Sequence, residues 1–139
     1  MSRFFSSALL VALIGVSGTA NAKSVGYECK IDASAGQGWL PEVLFIGHDQ
    51  VDDSVVVSDP IILHYNDRKP INGRVKTDNN KRTTFAWTVK IKDRSNHRAT
   101  INYTATYLKA TGVLSMSGLP LGYTNIFTGK GKCEVKPLK

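Results

Sequence analysis

The chain has 139 residues, of which 42% are hydrophobic, and 18 Lys and Arg against 11 Asp and Glu give it a formal net charge of +7. This length is typical of one domain, which can bury a core without the help of a metal or a partner. Beyond residue 22, no apolar run approaches the ~20 residues that a membrane-spanning helix needs, so we expect no transmembrane anchor.

Residues 1–22 have the pattern of a secretory signal peptide of bacterial type. Arg3 supplies the positive charge, residues 4–16 are apolar, and Ala20-Asn21-Ala22 is a small-residue cleavage site. We therefore predict a mature β domain over 23–139 with a net charge of +6, because Arg3 is the only charge removed. The protein is expected in the periplasm or secreted, and no cysteine lies directly after the cleavage site to carry a lipid anchor.

The two cysteines, Cys29 and Cys133, lie near the two ends of the predicted mature chain. In an oxidising compartment such a pair predicts a disulfide. It would close a loop of ~104 residues, for which chain entropy predicts about 4 to 5 kcal/mol of stabilisation. The absence of a Cys-x-x-Cys pattern favours a structural role over a redox role.

The clearest periodicity has a repeat of two residues. In 83–92, apolar side chains alternate with polar ones, and they are predicted to be core: Phe85, Trp87, Val89 and Ile91. A similar alternation runs through 99–109, and Ser95-Asn96 lies between the two stretches. We predict a long antiparallel hairpin at the centre of the fold.

Further short strands are predicted at 25–32, 42–47, 54–58, 61–66, 71–77, 112–117 and 125–135. A helical turn is expected at most near 32–38. Strands at this spacing predict an all-β fold, a compact antiparallel β-barrel or β-sandwich of about eight or nine short strands with the terminal strands joined by the disulfide. With its export signal and terminal cysteines, the chain resembles small periplasmic barrels, including lipocalin-like and lysozyme-inhibitor-like ones, in architecture and without a shared residue motif.

Two features of the last strand carry their own predictions. Gly129 and Gly131 fall on its inward face, which predicts a large neighbour such as Trp87 or Tyr103 across them, or a bend at a barrel corner; the alternative is a ligand that approaches the backbone.

If the two cysteines lie opposite each other on adjacent strands, antiparallel pairing would bring like charges together. The charge pattern therefore favours parallel pairing, and a bond between two facing sheets is the other option.

The sequence contains no recognisable catalytic or metal-binding motif. The three histidines (His48, His64 and His97) lack the spacing of metal ligands, and Asp52-Asp53 lies in a turn-like acidic stretch where solvation suffices as an explanation. There is no Gly-x-Ser-x-Gly motif. We expect a non-enzymatic protein without a cofactor; an unrecognised hydrolase would need His48 or His64 to meet carboxylates in a cleft.

Candidate binding residues fall into two groups. The loop aromatics Trp39 and Tyr123 either fold back over the barrel end or meet a partner, and a basic face is formed by Lys90, Lys92, Arg94 and Arg98. We expect a binding module for an anionic or amphipathic ligand or surface, such as an anionic envelope component. The alternative is a protein-docking or inhibitor-type module acting on another exported, envelope or foreign protein. Nucleic acid is not expected, because the aromatic residues near these charges are predicted core.

Overall fold

The computed structural model describes residues 23–92 and 94–138, so the predicted signal peptide lies outside the described residues. Eight strands are present: β1 (Ser24–Asp32), β2 (Val43–Asp49), β3 (Ser54–Ser58), β4 (Ile71–Asp78), β5 (Arg82–Lys92), β6 (Arg98–Leu108), β7 (Val113–Pro120) and β8 (Phe127–Pro137). Each strand pairs antiparallel with the next, and β8 pairs with β1 to close a barrel. The all-β prediction is confirmed, and closure selects the barrel over the sandwich.

The predicted strand at 61–66 is wrong, because this segment forms the helix α1 (Pro60–Tyr65). Asp59 caps the helix by accepting a hydrogen bond from the backbone nitrogen of Ile62 at 2.8 Å, and Pro60 occupies the first turn, where it sacrifices no hydrogen bond. Ile62 is completely buried. A single 3-10 turn at Ser34–Gly36 agrees with the helical turn expected near 32–38.

Because neighbouring strands alternate in direction, the connections alternate between the two ends of the barrel. One end, here called the loop end, carries the connections 33–42, 59–70, 94–97 and 121–126. The other, here called the turn end, carries the short connections 50–53, 79–81 and 109–112 together with the start of β1 and the end of β8.

Large side chains occupy the interior of the barrel. Trp87 and Tyr103 are cross-strand partners on β5 and β6, and their rings stack with centroids 5.7 Å apart. Phe85 packs in edge-to-face geometry against Tyr27 at 5.2 Å. All four core residues predicted on β5 are buried, and its lysines face outward, so the predicted hairpin and its inward face are confirmed.

Cys29 and Cys133 form the predicted disulfide, and they are directly opposite each other on β1 and β8. The prediction of parallel pairing is wrong: the ladder is antiparallel and places Glu28 opposite Glu134. Lys136 offsets this repulsion, since its Nζ lies 3.2 Å from a Glu28 oxygen and 3.6 Å from a Glu134 oxygen. The hydrogen bond with Glu28 raises the pKa of Lys136.

The two glycines of β8 allow a close approach to β1. A Cβ on Gly131 would overlap the carbonyl oxygen of Lys30, and one on Gly129 would lie 2.8 Å from the carbonyl oxygen of Asp32 and 3.1 Å from Leu40 Cδ1. The prediction that Trp87 or Tyr103 covers these glycines is therefore wrong. The neighbouring backbone and the loop residue Leu40 take up the space.

Candidate binding surface at the loop end

The predicted basic residues gather at one hairpin. Lys90 and Lys92 lie on the outer face of β5, Arg94 is in the connection, and Arg98 begins β6; all four are exposed. Within the described part of the chain, the lysines that form ion pairs are Lys109 and Lys136, and no arginine does so. The positive charge at this hairpin is therefore not neutralised by described side chains.

An exposed apolar loop lies beside the basic hairpin. In the 121–126 connection, Leu121 is 51% exposed, Tyr123 67% and Ile126 61%. The backbone nitrogen of Leu121 donates to the carbonyl oxygen of Thr100 at 2.9 Å, and Thr100 lies two residues after Arg98. This bond fixes the start of the apolar loop against the base of the basic hairpin.

The two loop aromatics have different environments. Trp39 is partly buried and packs against the core, and its carbonyl oxygen accepts a hydrogen bond from the Tyr103 hydroxyl at 2.7 Å. Burial, followed by the negative charge of Asp59, raises the pKa of Tyr103, so this hydroxyl stays a donor. Trp39 thus covers the barrel end, whereas Tyr123 projects into solvent.

The histidines are dispersed over the molecule. His48 is 1% exposed inside the barrel, where its Nε2 lies 3.0 Å from Asp53 Oδ1 and its ring meets the edge of Phe85. His64 lies on α1 and contacts the ring of Tyr65. The contact between His48 and Asp53 could not be predicted from the sequence, because the two residues lie on either side of a turn. The one indication in the sequence was a polar residue, His48, at an inward position of a strand.

The acidic stretch at the turn end serves local structure. Asp52 accepts a hydrogen bond from the backbone nitrogen of Ser54 at 2.9 Å, and this bonding holds the pKa of Asp52 below its usual value. Among residues 23–92 and 94–138, no group of three potential metal ligands comes together.

Asp78 also lies near the turn end and contacts two side chains. It accepts hydrogen bonds from Thr83 Oγ1 at 3.0 Å and Lys109 Nζ at 2.8 Å. Partial burial would raise the pKa of Asp78, but the bonds from Lys109 and Thr83 outweigh it and the pKa is lowered. The carboxylate therefore favours its charged form in the folded protein.

No protein-family model, curated protein or solved structure matches this chain. Among the residues that the structure describes, no helix has the length and apolar character needed to span a membrane.

Proposed function

We propose that this protein is an exported, non-enzymatic binding module whose loop end docks onto an anionic membrane surface. The observation that carries the proposal is the bond between Leu121 and Thr100, because it joins the exposed apolar loop to the base of the basic hairpin. The disulfide supports the export, since disulfides persist in oxidising compartments.

An amphipathic surface suits both halves of this site. Lys92, Arg94 and Arg98 would meet anionic headgroups, where each cation near the surface contributes about 1 kcal/mol. Leu121 and Tyr123 would enter the interface, where burying the exposed part of each side chain contributes about 1 kcal/mol. Neither half alone gives firm attachment, so binding is expected to need both and to weaken with added salt.

Co-sedimentation with vesicles that contain phosphatidylglycerol tests the proposal, with phosphatidylcholine vesicles as the comparison. The triple variant Lys92→Gln/Arg94→Gln/Arg98→Gln should lose most of its binding to the anionic vesicles. The double variant Leu121→Ser/Tyr123→Ser should also lose it while keeping its net charge.

A matched control removes three cations from the opposite end of the barrel. Lys23, Lys81 and Arg82 are exposed at the turn end, and their replacement by Gln lowers the net charge by the same amount. This control should bind like the wild type. Equal losses in both triple variants, or binding that neither salt nor any variant reduces, would refute the proposal.

Docking to another protein is the second candidate. Tyr123 favours this function, because an exposed tyrosine between exposed apolar residues is common at protein interfaces. Side chains also fill the barrel interior, which favours a partner that binds at the surface. Native mass spectrometry of the protein purified from its own compartment distinguishes the two functions. A retained lipid mass would support the membrane surface, and a retained polypeptide mass would support an inhibitor-type or docking module.

A further inference from the structure

A second surface lies on the outer wall of the barrel and meets the loop-end site at Ile126. Six of the outward side chains on β5 to β8 are short and carry hydroxyl or amide groups: Thr88, Asn102, Thr104, Ser115, Ser117 and Thr128. We call this set the hydroxyl face. All six side chains are at least partly exposed. The face therefore offers many hydrogen-bonding groups to a partner.

Strand register arranges part of this face as a straight row across the barrel wall. Thr104 on β6 is opposite Ala86 on β5 and Ser117 on β7, and Ser117 is opposite Thr128 on β8. The row continues to Arg74 on β4, which is opposite Ala86. Four strand spacings of ~4.8 Å separate the ends of the row, which is about 19 Å along the surface.

The row follows two adjoining depressions in the wall. Each has a volume of about 500 Å³, and they share Thr104 and Ser117 as lining residues. At Ala86 and Gly129 the lining residues have a methyl group or no side chain, so these two positions do not obstruct the depressions. Among the lining residues that the structure describes, none is Asp or Glu.

Cations flank the depressions on both sides. Arg74 and Lys76 line the β4 side, and Lys130 lines the β8 side. In the part of the chain that the structure describes, none of the three has a carboxylate partner. An extended, negatively charged chain lying across the strands would meet a cation on either side of a neutral, hydrogen-bonding centre.

We propose that the hydroxyl face binds an acidic polysaccharide. Sugar hydroxyls would exchange hydrogen bonds with Thr104, Ser117 and their neighbours, and carboxylate groups would pair with Arg74 and Lys130. Leu119 and Ile126 border one depression and offer a small apolar contact for the carbon face of a sugar ring.

Other macromolecules fit this face less well. A single-stranded nucleic acid requires exposed rings for base stacking, and the aromatic residues here, Trp87 and Tyr103, are buried. Protein interfaces are enriched in aromatic residues and depleted in Ser, the opposite of this surface. A membrane would contact exposed apolar side chains at one margin of this face, where Leu119 and Ile126 lie. The proposal does not depend on the loop-end function: Ile126 borders both surfaces, but the hydroxyl groups and cations that carry this proposal are not part of the loop-end site.

Isothermal titration with polygalacturonate at near-physiological salt tests the proposal, with neutral dextran as the comparison. The variant Thr104→Val/Ser117→Ala removes two hydroxyls and no charge, and should weaken binding at least about fivefold. Thr100→Val removes an outward hydroxyl of β6 that lines neither depression, and should leave the affinity within about twofold. Arg74→Gln/Lys130→Gln should weaken binding more than the matched control.

That control is Lys81→Gln/Arg82→Gln at the turn end, which removes the same charge. Unchanged affinity in the hydroxyl variant, equal losses in variant and control, or equal binding of dextran would overturn the proposal. Amide shift mapping of the wild-type protein with polygalacturonate keeps the test decisive if a variant fails to fold. Shifts clustered on Thr104, Ser117 and Thr128 support the proposal, and shifts clustered on the basic hairpin refute it.

Discussion

Gly131→Ala tests how closely β8 approaches β1 where the barrel closes. The added Cβ would overlap the carbonyl oxygen of Lys30 and lie 2.8 Å from the Cα of Ile31. Both obstacles are backbone atoms, so no side-chain rotation relieves the clash. The strands must separate close to the Cys29–Cys133 bond, which sits two residues along β8. We expect a loss of about 2 to 4 kcal/mol in the free energy of unfolding.

A matched glycine provides the control for this substitution. At Gly47 on β2, the nearest atom to an added Cβ is a Leu138 methyl carbon at 3.6 Å, an ordinary contact. Gly47→Ala should therefore be neutral or stabilising by up to about 1 kcal/mol, because alanine loses less backbone entropy on folding.

Urea unfolding followed by tryptophan fluorescence measures both variants under oxidising conditions. At roughly 4 °C per kcal/mol for a domain of this size, Gly131→Ala should also lower Tm by about 8 to 16 °C. If Gly131→Ala costs less than about 0.5 kcal/mol, or no more than Gly47→Ala, the close approach of β8 and β1 is not what requires glycine.

Three further predictions concern the disulfide, the core and a titrating carboxylate. Reduction of Cys29–Cys133 should lower Tm by well over ~10 °C in a thermal scan, and free thiols in unreduced, unfolded protein would contradict the bond. Trp87→Ala should cost about 3 to 5 kcal/mol by urea unfolding and Lys90→Ala less than about 0.5; similar costs would mean that the inward face of β5 is misassigned. The lowered pKa of Asp78 means that its carboxylate stabilises the fold above the unfolded-state pKa of about 3.9, and that this contribution is lost as the pH falls through the folded-state pKa. The difference in the free energy of unfolding between the wild type and Asp78→Asn should thus become smaller as the pH is lowered from 7. A difference that does not change with pH would contradict the lowered pKa of Asp78.

The hairpin and its buried face could be predicted because the signal is local. Alternation with a period of two specifies which side chains of β5 share a face, and the neighbouring strand repeats the pattern. The disulfide was also predictable, because only two cysteines are present and the predicted export signal implies an oxidising destination. The segment 61–66 was misassigned although its local signal, Asp59-Pro60, marks a helix start. A short apolar run fits a strand or a helix equally well.

The candidate surfaces could be predicted only in part. Tyr123 and the four basic residues were identified from their loop and strand positions, but their relation in space was not visible. The contact of Leu121 with Thr100 and the row through Thr104 and Ser117 depend on strand order and register. These connect residues far apart in sequence, so no local pattern encodes them.

Four features are therefore predictable from the amino-acid sequence, because each depends on neighbouring residues or on composition: the all-β class, the central hairpin, the inward residues of β5 and the cysteine pair. The direction in which the terminal strands pair depends instead on how the barrel closes. In a closed barrel of eight strands that alternate in direction, the last strand must run antiparallel to the first. Cross-strand charge pairs contribute about 0.2 to 1 kcal/mol each and cannot overturn that closure, so Lys136 offsets the repulsion between Glu28 and Glu134 instead.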